Sequence, residues 1–327
     1  MKELIANFSQ QLKEAIKIGE SANLTKNTSI IRNVMITGLG GSGIGGTIVS
    51  EIVYNQSSIP INVNKDYFLP EYVNNETLVI VSSYSGNTEE TLNAFEIALT
   101  RKAKIVCITS GGKIADLAKD TNTDYILVPG GMPPRSCLGY SLTQLLFIFN
   151  FFGLIKNDFK SQLKAAIDLL EKEENQIKKD AETIAHKLVN KTPIIYSVAN
   201  YEGIAVRLRQ QINENAKMLC WHHVIPEMNH NELVGWTEKN NNWAVLFLRN
   251  DNDYDRTQKR IEINKEVISK YTDTIIEIYS KGNSVIERTI YMIHLSDWIS
   301  MYLAEIRKVD ATEVNVINYL KSTLAGS

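Results

Sequence analysis

Short runs of apolar, β-branched residues alternate along the chain with longer stretches in which apolar residues recur every three or four positions. The first pattern is typical of buried parallel strands, and the second of the helices that cover them. In the first half, the pattern predicts strands over Val34–Thr37, Ile61–Val63, Thr77–Val81, Ala103–Thr109 and Tyr125–Val128, and helices over Phe8–Ser21, Thr88–Leu99, Lys113–Thr121 and Leu138–Leu154, with another through Ile48 and Val53. This β-α-β-α-β order predicts an α/β fold with a doubly wound parallel sheet.

The second half repeats the alternation after a long, highly charged helix over Asp158–Asn190. It predicts strands over Ile194–Val198, Ala244–Leu248 and Thr274–Tyr279, and helices over Glu202–Met218, Arg256–Lys270, Ser284–Arg307 and Ala311–Leu324. We therefore expect two doubly wound, flavodoxin-like domains, each an αβα sandwich, over residues 1–156 and 157–327. Ligands of such sheets bind at the carboxyl ends of the strands.

One predicted strand ends in hydroxyl side chains and passes directly into a helix. Thr77–Val81 is followed by Ser82, Ser83, Tyr84, Ser85, Gly86, Asn87 and Thr88, and two acids then occupy the first helical turn. Hydroxyl groups, backbone N–H groups and the positive end of a helix dipole together suit a dianionic phosphate. The alternative is an ordinary loop in which serine and threonine only cap the helix.

A glycine-rich loop, Gly38–Gly46, lies between the first strand and its helix. Its Gly-x-Gly-x-x-Gly spacing formally matches the dinucleotide fingerprint, but no acid ends the second strand where a ribose would bind, and the Gly-Lys-Ser/Thr ending of a P-loop is missing. We therefore expect Gly41 and Ser42 to bind a single phosphate monoester together with the hydroxyl-rich loop. The alternative is that the glycines only permit close packing of helix on strand.

The second half holds the densest group of ionisable side chains, over Gln211–Lys217 and Pro226–Glu232. Glu214 and His230 are candidates for a base and an acid, since proton transfer at carbon needs a positioned carboxylate or imidazole. Pro226 excludes one continuous helix through both, so they would converge through tertiary structure or across a subunit contact. Alternatively, Glu214 is a solvated helix residue and His230 a structural hydrogen-bonding group.

Two basic residues complete the candidate chemistry. Arg135 follows Pro133 and Pro134, and such a rigid frame holds a cation still, as the stabilisation of an anionic intermediate requires. Lys321 lies in the last turn of the final predicted helix, where a lysine usually only complements the helix dipole. The residues alone therefore favour a catalytic role for Arg135 and leave Lys321 without one.

Composition excludes several function classes. With 35 Lys and Arg against 37 Asp and Glu, the formal net charge of -2 gives no case for binding nucleic acid or an anionic membrane. No stretch approaches the roughly 18 apolar residues of a spanning helix, and no signal-peptide pattern follows Met1. Three widely separated cysteines are typical of reduced thiols in a cytoplasmic protein. Cys220, His222 and His223 match no closed zinc site, so we expect no metal and no cofactor.

Taken together, these motifs resemble the bifunctional phosphoglucose/phosphomannose isomerase family, which is built of two sugar-isomerase (SIS) domains. The resemblance covers essentially the whole chain in order. It is carried by Gly38–Gly46, Ser82–Thr91, Met132–Arg135, Gly139–Ser141, Asn213–Lys217, Asn229–Trp236 and the terminal helix ending at Lys321. The Ser-x-Ser-Gly-x-Thr motif belongs to SIS domains of many functions, regulators included. The Asn-Glu-Asn and Asn-His-Asn-Glu segments with Pro-Pro-Arg are far more specific.

The resemblance implies an aldose-ketose isomerase that interconverts glucose 6-phosphate, and mannose 6-phosphate, with fructose 6-phosphate through a cis-enediolate. By family pattern, Glu214 moves the proton between C1 and C2, and Arg135 is the cation beside the enediolate. His230 opens the ring from the neighbouring subunit, and Lys321, on a terminal helix that returns to the active site, assists it. The implied phosphate ligands are Gly41, Ser42, Ser83, Ser85 and Thr88. A homodimer with shared active sites is implied.

Three other functions compete with this interpretation. A non-catalytic sugar-phosphate sensor of the same fold would not need the retained set of Glu214, His230, Arg135 and Lys321. An isomerase of amino sugars, such as the isomerase half of a glucosamine-6-phosphate synthase, would normally carry a glutaminase domain. A metal-dependent mannose phosphate isomerase would need a His/Glu cluster. The sequence favours the metal-free isomerase over all three.

Overall fold

Two parallel β-sheets organise the computed structural model, which describes residues 1–26 and 30–325. Each sheet belongs to its own structural unit. The first unit consists of Ala6–Glu171 and Gly282–Thr289, and the second of Met1–Ile5, Lys172–Lys281 and the residues from Ile290 onward. The longest part of the first unit ends between residues 171 and 172, whereas the sequence analysis placed the boundary between 156 and 157.

The first unit is built on a five-stranded sheet in the order β2-β1-β3-β4-β5, with every pair of neighbours parallel. Its strands are β1 Asn33–Thr37, β2 Ile61–Asn64, β3 Thr77–Ser82, β4 Lys104–Thr109 and β5 Asp124–Leu127. After the short helix α1 Lys2–Ala6, the helices are α2 Phe8–Ser21, α3 Gly40–Ile52, α4 Glu89–Thr100, α5 Gly112–Asp120, α6 Leu138–Phe151 and the start of α7 Phe159–Leu188. The strand order reverses between β1 and β3, where doubly wound sheets bind ligands.

The central strand β3 is buried along its whole length. On one face, Val79 and Val81 pack in a cluster with Ala94 and Phe95 of α4. On the opposite face α3 lies so close that a Cβ added at Gly46 would sit 2.8 Å from Cγ2 of Ile36. Close packing on both faces holds the carboxyl ends of β1 and β3, and therefore the loops that follow them, in a fixed position.

The second unit is built on a four-stranded parallel sheet in the order β7-β6-β8-β9. Its strands are β6 Thr192–Val198, β7 Trp221–Ile225, β8 Trp243–Arg249 and β9 Ile275–Tyr279. Its helices are the later part of α7, then α8 Glu202–Ala216, α9 Asp255–Ile268, most of α10 Val285–Arg307, and α11 Asn315–Ala325. The predicted fold class, two parallel-sheet α/β domains, is confirmed.

Strand β7 is the main element that the sequence analysis missed. Only Ile225 of its five residues is buried, because the strand lies at the edge of the sheet and pairs with β6 alone. Half-exposed side chains such as His222 and His223 therefore replace the continuous apolar run of a central parallel strand. Two helix ends differ from prediction by three residues or more: α6 ends at Phe151 instead of residue 154, and α11 begins at Asn315 instead of residue 311.

Candidate active site

The loops that follow β1 and β3 meet at the carboxyl edge of the first sheet. Gly38 lies against β3, since a Cβ at that position would be 2.6 Å from the carbonyl oxygen of Ser82. The Ser42 hydroxyl accepts a hydrogen bond from the backbone N–H of Tyr84 at 3.2 Å. All five predicted phosphate ligands lie in these two adjacent loops or in the first turn of α3. Backbone N–H groups at such helix starts attract anions.

The hydroxyl-rich loop is folded tightly on itself. The Ser83 and Thr88 hydroxyls are 3.2 Å apart within hydrogen-bonding geometry, and Ser83 is buried. Ser85 is exposed, and its Oγ accepts the N–H of Asn87 at 3.3 Å. Gly86 has the left-handed φ of 67°, and an added Cβ there would lie 1.8 Å from the carbonyl oxygen of Gly111. The loop conformation thus requires glycine, and it leaves the Ser85 side chain at the surface.

Arg135 lies beside the glycine-rich loop, as part of a short 3-10 turn over Pro134–Ser136. A Cβ at Gly41 would come within 3.0 Å of the Pro134 carbonyl oxygen and 3.3 Å of the Arg135 Cα. The turn is fixed by the Ser136 hydroxyl, which donates to the carbonyl of Pro133 at 2.7 Å. Arg135 is only 4% exposed, so the predicted cation is buried in the same unit as the predicted phosphate loops.

A small cavity lies at this corner, and it is lined in part by residues that the sequence analysis did not name as phosphate ligands. Ser82, Tyr84, Cys137 and Ser141 line it together with Ser42. The buried Oγ of Ser82 has no hydrogen-bond partner among the described residues, and an orphaned hydroxyl of this kind is unusual. Burial, followed by hydrogen bonding to Cys137, raises the pKa of the Tyr84 phenol above its ordinary value. The Tyr84 phenol is therefore neutral, and it adds no negative charge beside the hydroxyl donors of this corner.

Glu214 belongs to the second unit and lies on the last turn of α8, half-buried. One face of α8 is clamped to α10 on either side of this position. Arg207, 1% exposed, forms two hydrogen bonds to the Asp297 carboxylate at 3.0 and 2.8 Å, and Gln211 donates to the same carboxylate at 2.9 Å. Asn215 donates to the Ser300 hydroxyl at 2.9 Å. The bidentate, buried pair of Arg207 and Asp297 fixes the relative orientation of the two side chains as well as their distance.

His230 is exposed at the end of a 3-10 turn over Glu227–His230. Buried anchors lie on both sides of it. Met228 is fully buried, and the Trp236 indole donates to the hydroxyl of Tyr196 at 3.3 Å. The segment between them is thus held against the second unit while the imidazole faces outward. Lys321, on α11, is exposed as well.

No helix among the described residues is long and apolar enough to cross a membrane. Within residues 1–26 and 30–325, no group of three or more His, Cys, Asp and Glu side chains is arranged to hold a metal ion.

The candidate residues of the two units suit different tasks. The first unit presents hydroxyls, backbone N–H groups and a buried guanidinium, which suit an anion. The second unit presents a carboxylate, an imidazole and an ammonium group, which suit proton transfer.

Both units correspond to known family profiles. The SIS domain profile matches residues 31–130, and the bacterial phospho-glucose isomerase C-terminal SIS domain profile matches residues 177–324. The first match contains the glycine-rich and hydroxyl-rich loops, and the second contains the positions of Glu214, His230 and Lys321. The profile matches therefore cover the candidate phosphate loops and the candidate proton-transfer residues, while Arg135 lies outside both matched ranges.

Curated relatives extend the similarity to the full chain. The bifunctional phosphoglucose/phosphomannose isomerase of Caldicellulosiruptor bescii is 40% identical over an alignment of 336 positions, which covers 99% of this chain and 99% of that protein. The protein of the same name from Aquifex aeolicus is 35% identical over 93% of this chain and 94% of its own. The C-terminal domain of glucosamine-fructose-6-phosphate aminotransferase from Francisella tularensis superposes with a TM-score of 0.78 at 14% identity, covering 96% and 98% of the two chains. That likeness shows the fold alone.

Proposed function

The chain belongs to the family of bifunctional phosphoglucose/phosphomannose isomerases, and from that membership we propose that it interconverts glucose 6-phosphate and mannose 6-phosphate with fructose 6-phosphate. It is an aldose-ketose isomerase. The observation that carries the proposal is identity of 40% over 99% of both chains with a relative of that name. The residues that such chemistry needs are present in the two SIS units.

In the proposed binding step, the phosphate of the sugar is held by the two loops of the first unit. Their hydroxyls and N–H groups supply donors: Gly41, Ser42, Ser83, Ser85 and Thr88. The supporting geometry is the contact of the two loops, in which Ser42 accepts the N–H of Tyr84 at 3.2 Å. The cavity hydroxyl of Ser82 would add a further donor.

In the proposed chemical step, the Glu214 carboxylate removes the proton from C2 of the open-chain aldose and returns it to C1, while the hydroxyl proton on O2 passes to O1. Between the two transfers the substrate is a cis-enediolate, whose charge a neighbouring cation stabilises. Arg135 is assigned that role because its guanidinium is buried and its turn is rigid. Preorganised groups of this kind contribute on the order of 3 kcal/mol each to transition-state stabilisation.

Ring opening precedes the proton transfer, and we assign it to His230 of a second copy of the chain, assisted by Lys321. His230 is exposed between two buried anchors, as a residue that serves a neighbouring subunit must be. Helix α11 also exposes apolar side chains, including Val316, Tyr319 and Leu320, which a partner would cover. We therefore propose a homodimer with shared active sites.

We also propose a cytoplasmic location, where thiols stay reduced. Within the described residues, Cys107, Cys137 and Cys220 form no disulfide. Burial raises the pKa of the Cys107 and Cys220 thiols to about 12. They are therefore protonated and unreactive at neutral pH.

The proposed function is tested by a coupled assay of isomerisation on glucose 6-phosphate and mannose 6-phosphate, each with and without a chelator. We expect fructose 6-phosphate from both sugars, at rates that the chelator leaves unchanged. Tight binding of the sugar phosphates without turnover would instead identify a sensor. Loss of activity on chelation would contradict the metal-free mechanism.

A further inference from the structure

The end of α8 is joined to the segment that leads into α11. Lys217 closes α8 in the left-handed conformation, with φ of 54°. Its ammonium group donates to the carbonyl oxygen of Glu214 at 2.5 Å and to that of Glu313 at 2.6 Å. The last carbonyls of a helix have no partner within the helix, so one lysine satisfies such a group and holds a second chain segment at the same time.

A second hydrogen bond joins the same helix end to the end of α10. Arg307, in the last turn of α10, donates from Nε to the carbonyl oxygen of Ala216 at 3.0 Å. The connection from α10 to α11 is therefore fixed to the end of α8 at two places. Arg307, just before the connection, contacts Ala216, and Glu313, within the connection, contacts Lys217. Glu214 lies two residues before Ala216, on the same turn.

The segment that follows this attachment extends into solvent. Ala311 is buried, but every residue from Asn315 to Leu324 is exposed. We call residues 311–325 the terminal arm. At its base, the Asp310 carboxylate accepts the N–H of Thr312 at 2.7 Å, which lowers the pKa of Asp310. Since the arm is exposed beyond its base, the attachment of the base decides where Lys321 can reach.

We propose that Lys217 is a positioning residue that ties the terminal arm, and with it Lys321, to the helix turn that carries Glu214. The inference rests on the proposed function, in which these two side chains serve the same reaction. Three N–H donors on a flexible stem suit the bridge, because each carbonyl takes one and the direction of the stem adjusts to both. The link acts on α8 through the backbone carbonyl of Glu214.

The first test is Lys217→Met, which keeps the length of the side chain and the strain of the left-handed residue but removes the donors. Lys102→Met is the matched control, since Lys102 also closes a helix in the left-handed conformation, with φ of 58°, and is exposed. Amide hydrogen exchange is measured over residues 309–320 of the full-length protein. We expect exchange at the base of the arm to accelerate about tenfold or more in Lys217→Met and to stay unchanged in the control.

Lys217→Gly separates positioning from simple loss of stability. Glycine relieves the left-handed strain, so this variant should unfold no more easily than Lys217→Met. We nevertheless expect the same faster exchange in the arm, because the two hydrogen bonds are lost in both variants. Unchanged exchange in Lys217→Met, or normal exchange in Lys217→Gly, would overturn the proposal. Neither readout requires activity, so a failure of the isomerase assay would leave this test intact.

Kinetic measurements then test whether Lys217 affects catalysis through the position of Lys321. We expect Lys217→Met to lower kcat by about tenfold or more, with little change in KM, since small misplacements of catalytic groups are costly. If Lys217 acts by placing Lys321, the double variant Lys217→Met/Lys321→Ala should be no slower than Lys321→Ala alone. Two losses that multiply would overturn this inference, because they would show that Lys217 acts independently of the arm.

Discussion

Glu214 is the side chain on which the proposed proton transfer depends most directly. In Glu214→Gln, the amide has nearly the same shape but cannot accept the proton. We expect kcat to fall by about 10²- to 10⁴-fold, the usual contribution of a general base, while the affinity for fructose 6-phosphate stays nearly the same because the phosphate loops are unchanged. The coupled assay measures the first quantity and calorimetric titration the second.

Glu202→Gln provides the control for this variant, since Glu202 lies on the same helix at its opposite end. It should retain wild-type turnover. Normal turnover in Glu214→Gln would contradict the assignment of the base, and loss of fructose 6-phosphate binding would show that Glu214 acts in binding.

At the scale of single residues, candidates could be named from the sequence where chemistry restricts the residue type. Serine and threonine before a helix, and arginine after two prolines, are visible in a sequence because few residue types replace them. Ser82 was not named as a ligand because its role depends on three-dimensional contacts: it ends a buried strand, and only the structure shows its hydroxyl at the cavity without a partner among the described residues. Lys217 was missed for the same reason, because its acceptors include a carbonyl 96 residues away.

At the scale of loops and helices, Gly86 controls the turn that carries the proposed phosphate ligands. In Gly86→Ala, the left-handed residue costs about 1 kcal/mol or more, and the new Cβ would also collide with the Gly111 carbonyl at 1.8 Å. Gly153→Ala isolates the first cost, since Gly153 has φ of 72° with no atom within 4 Å of an added Cβ. We expect Gly86→Ala to lower the melting temperature of the first unit clearly more than Gly153→Ala, measured by calorimetry. Equal shifts would mean that the close approach is absent.

The clamp between α8 and α10 is the corresponding element in the second unit. Asp297→Ala leaves the buried Arg207 without its carboxylate, and we expect the free energy of unfolding to fall by about 3–5 kcal/mol. The exposed pair of Lys239 and Asp273 is the control, because its side chains are 60% exposed and Asp273→Ala should cost less than about 1 kcal/mol. All four tryptophans lie in the second unit, so their fluorescence in urea reports on that unit alone. A small loss in Asp297→Ala would show that the pair does not stabilise α8.

Element type followed from the sequence wherever a strand is covered on both faces or a helix is amphipathic. Strand β3 and helix α2 lie where the apolar pattern places them, because burial and pattern have the same cause. The pattern fails where burial is partial. Strand β7 lies at an edge, and α11 is exposed throughout its described side chains, so its start at Asn315 is set by the turn over residues 310–314 and not by an apolar face.

At the scale of the whole chain, the two sheets share a strand order but not a binding corner. The order β7-β6-β8-β9 repeats β2-β1-β3-β4. After β3 the chain carries hydroxyls and glycine, whereas after β8 it carries Asn250–Asp253. There the Asp253 carboxylate accepts both the backbone N–H of Asn250 at 2.9 Å and its side-chain amide at 3.1 Å. The Asp253 carboxylate thus occupies two donors after β8 and adds a negative charge there, which disfavours a phosphate at this position.

The proposed sharing of active sites across a two-fold axis predicts how much activity mixed dimers should have. In a dimer of one Glu214→Gln chain and one His230→Ala chain, one site combines both wild-type residues and the other combines both substitutions. Random exchange makes half of the dimers mixed, so about a quarter of wild-type activity should return from two inactive proteins. The coupled assay measures it, and each variant carried alone through the same exchange is the control. Absence of rescue in mixed dimers verified by mass spectrometry would mean that Glu214 and His230 of a single chain form each site.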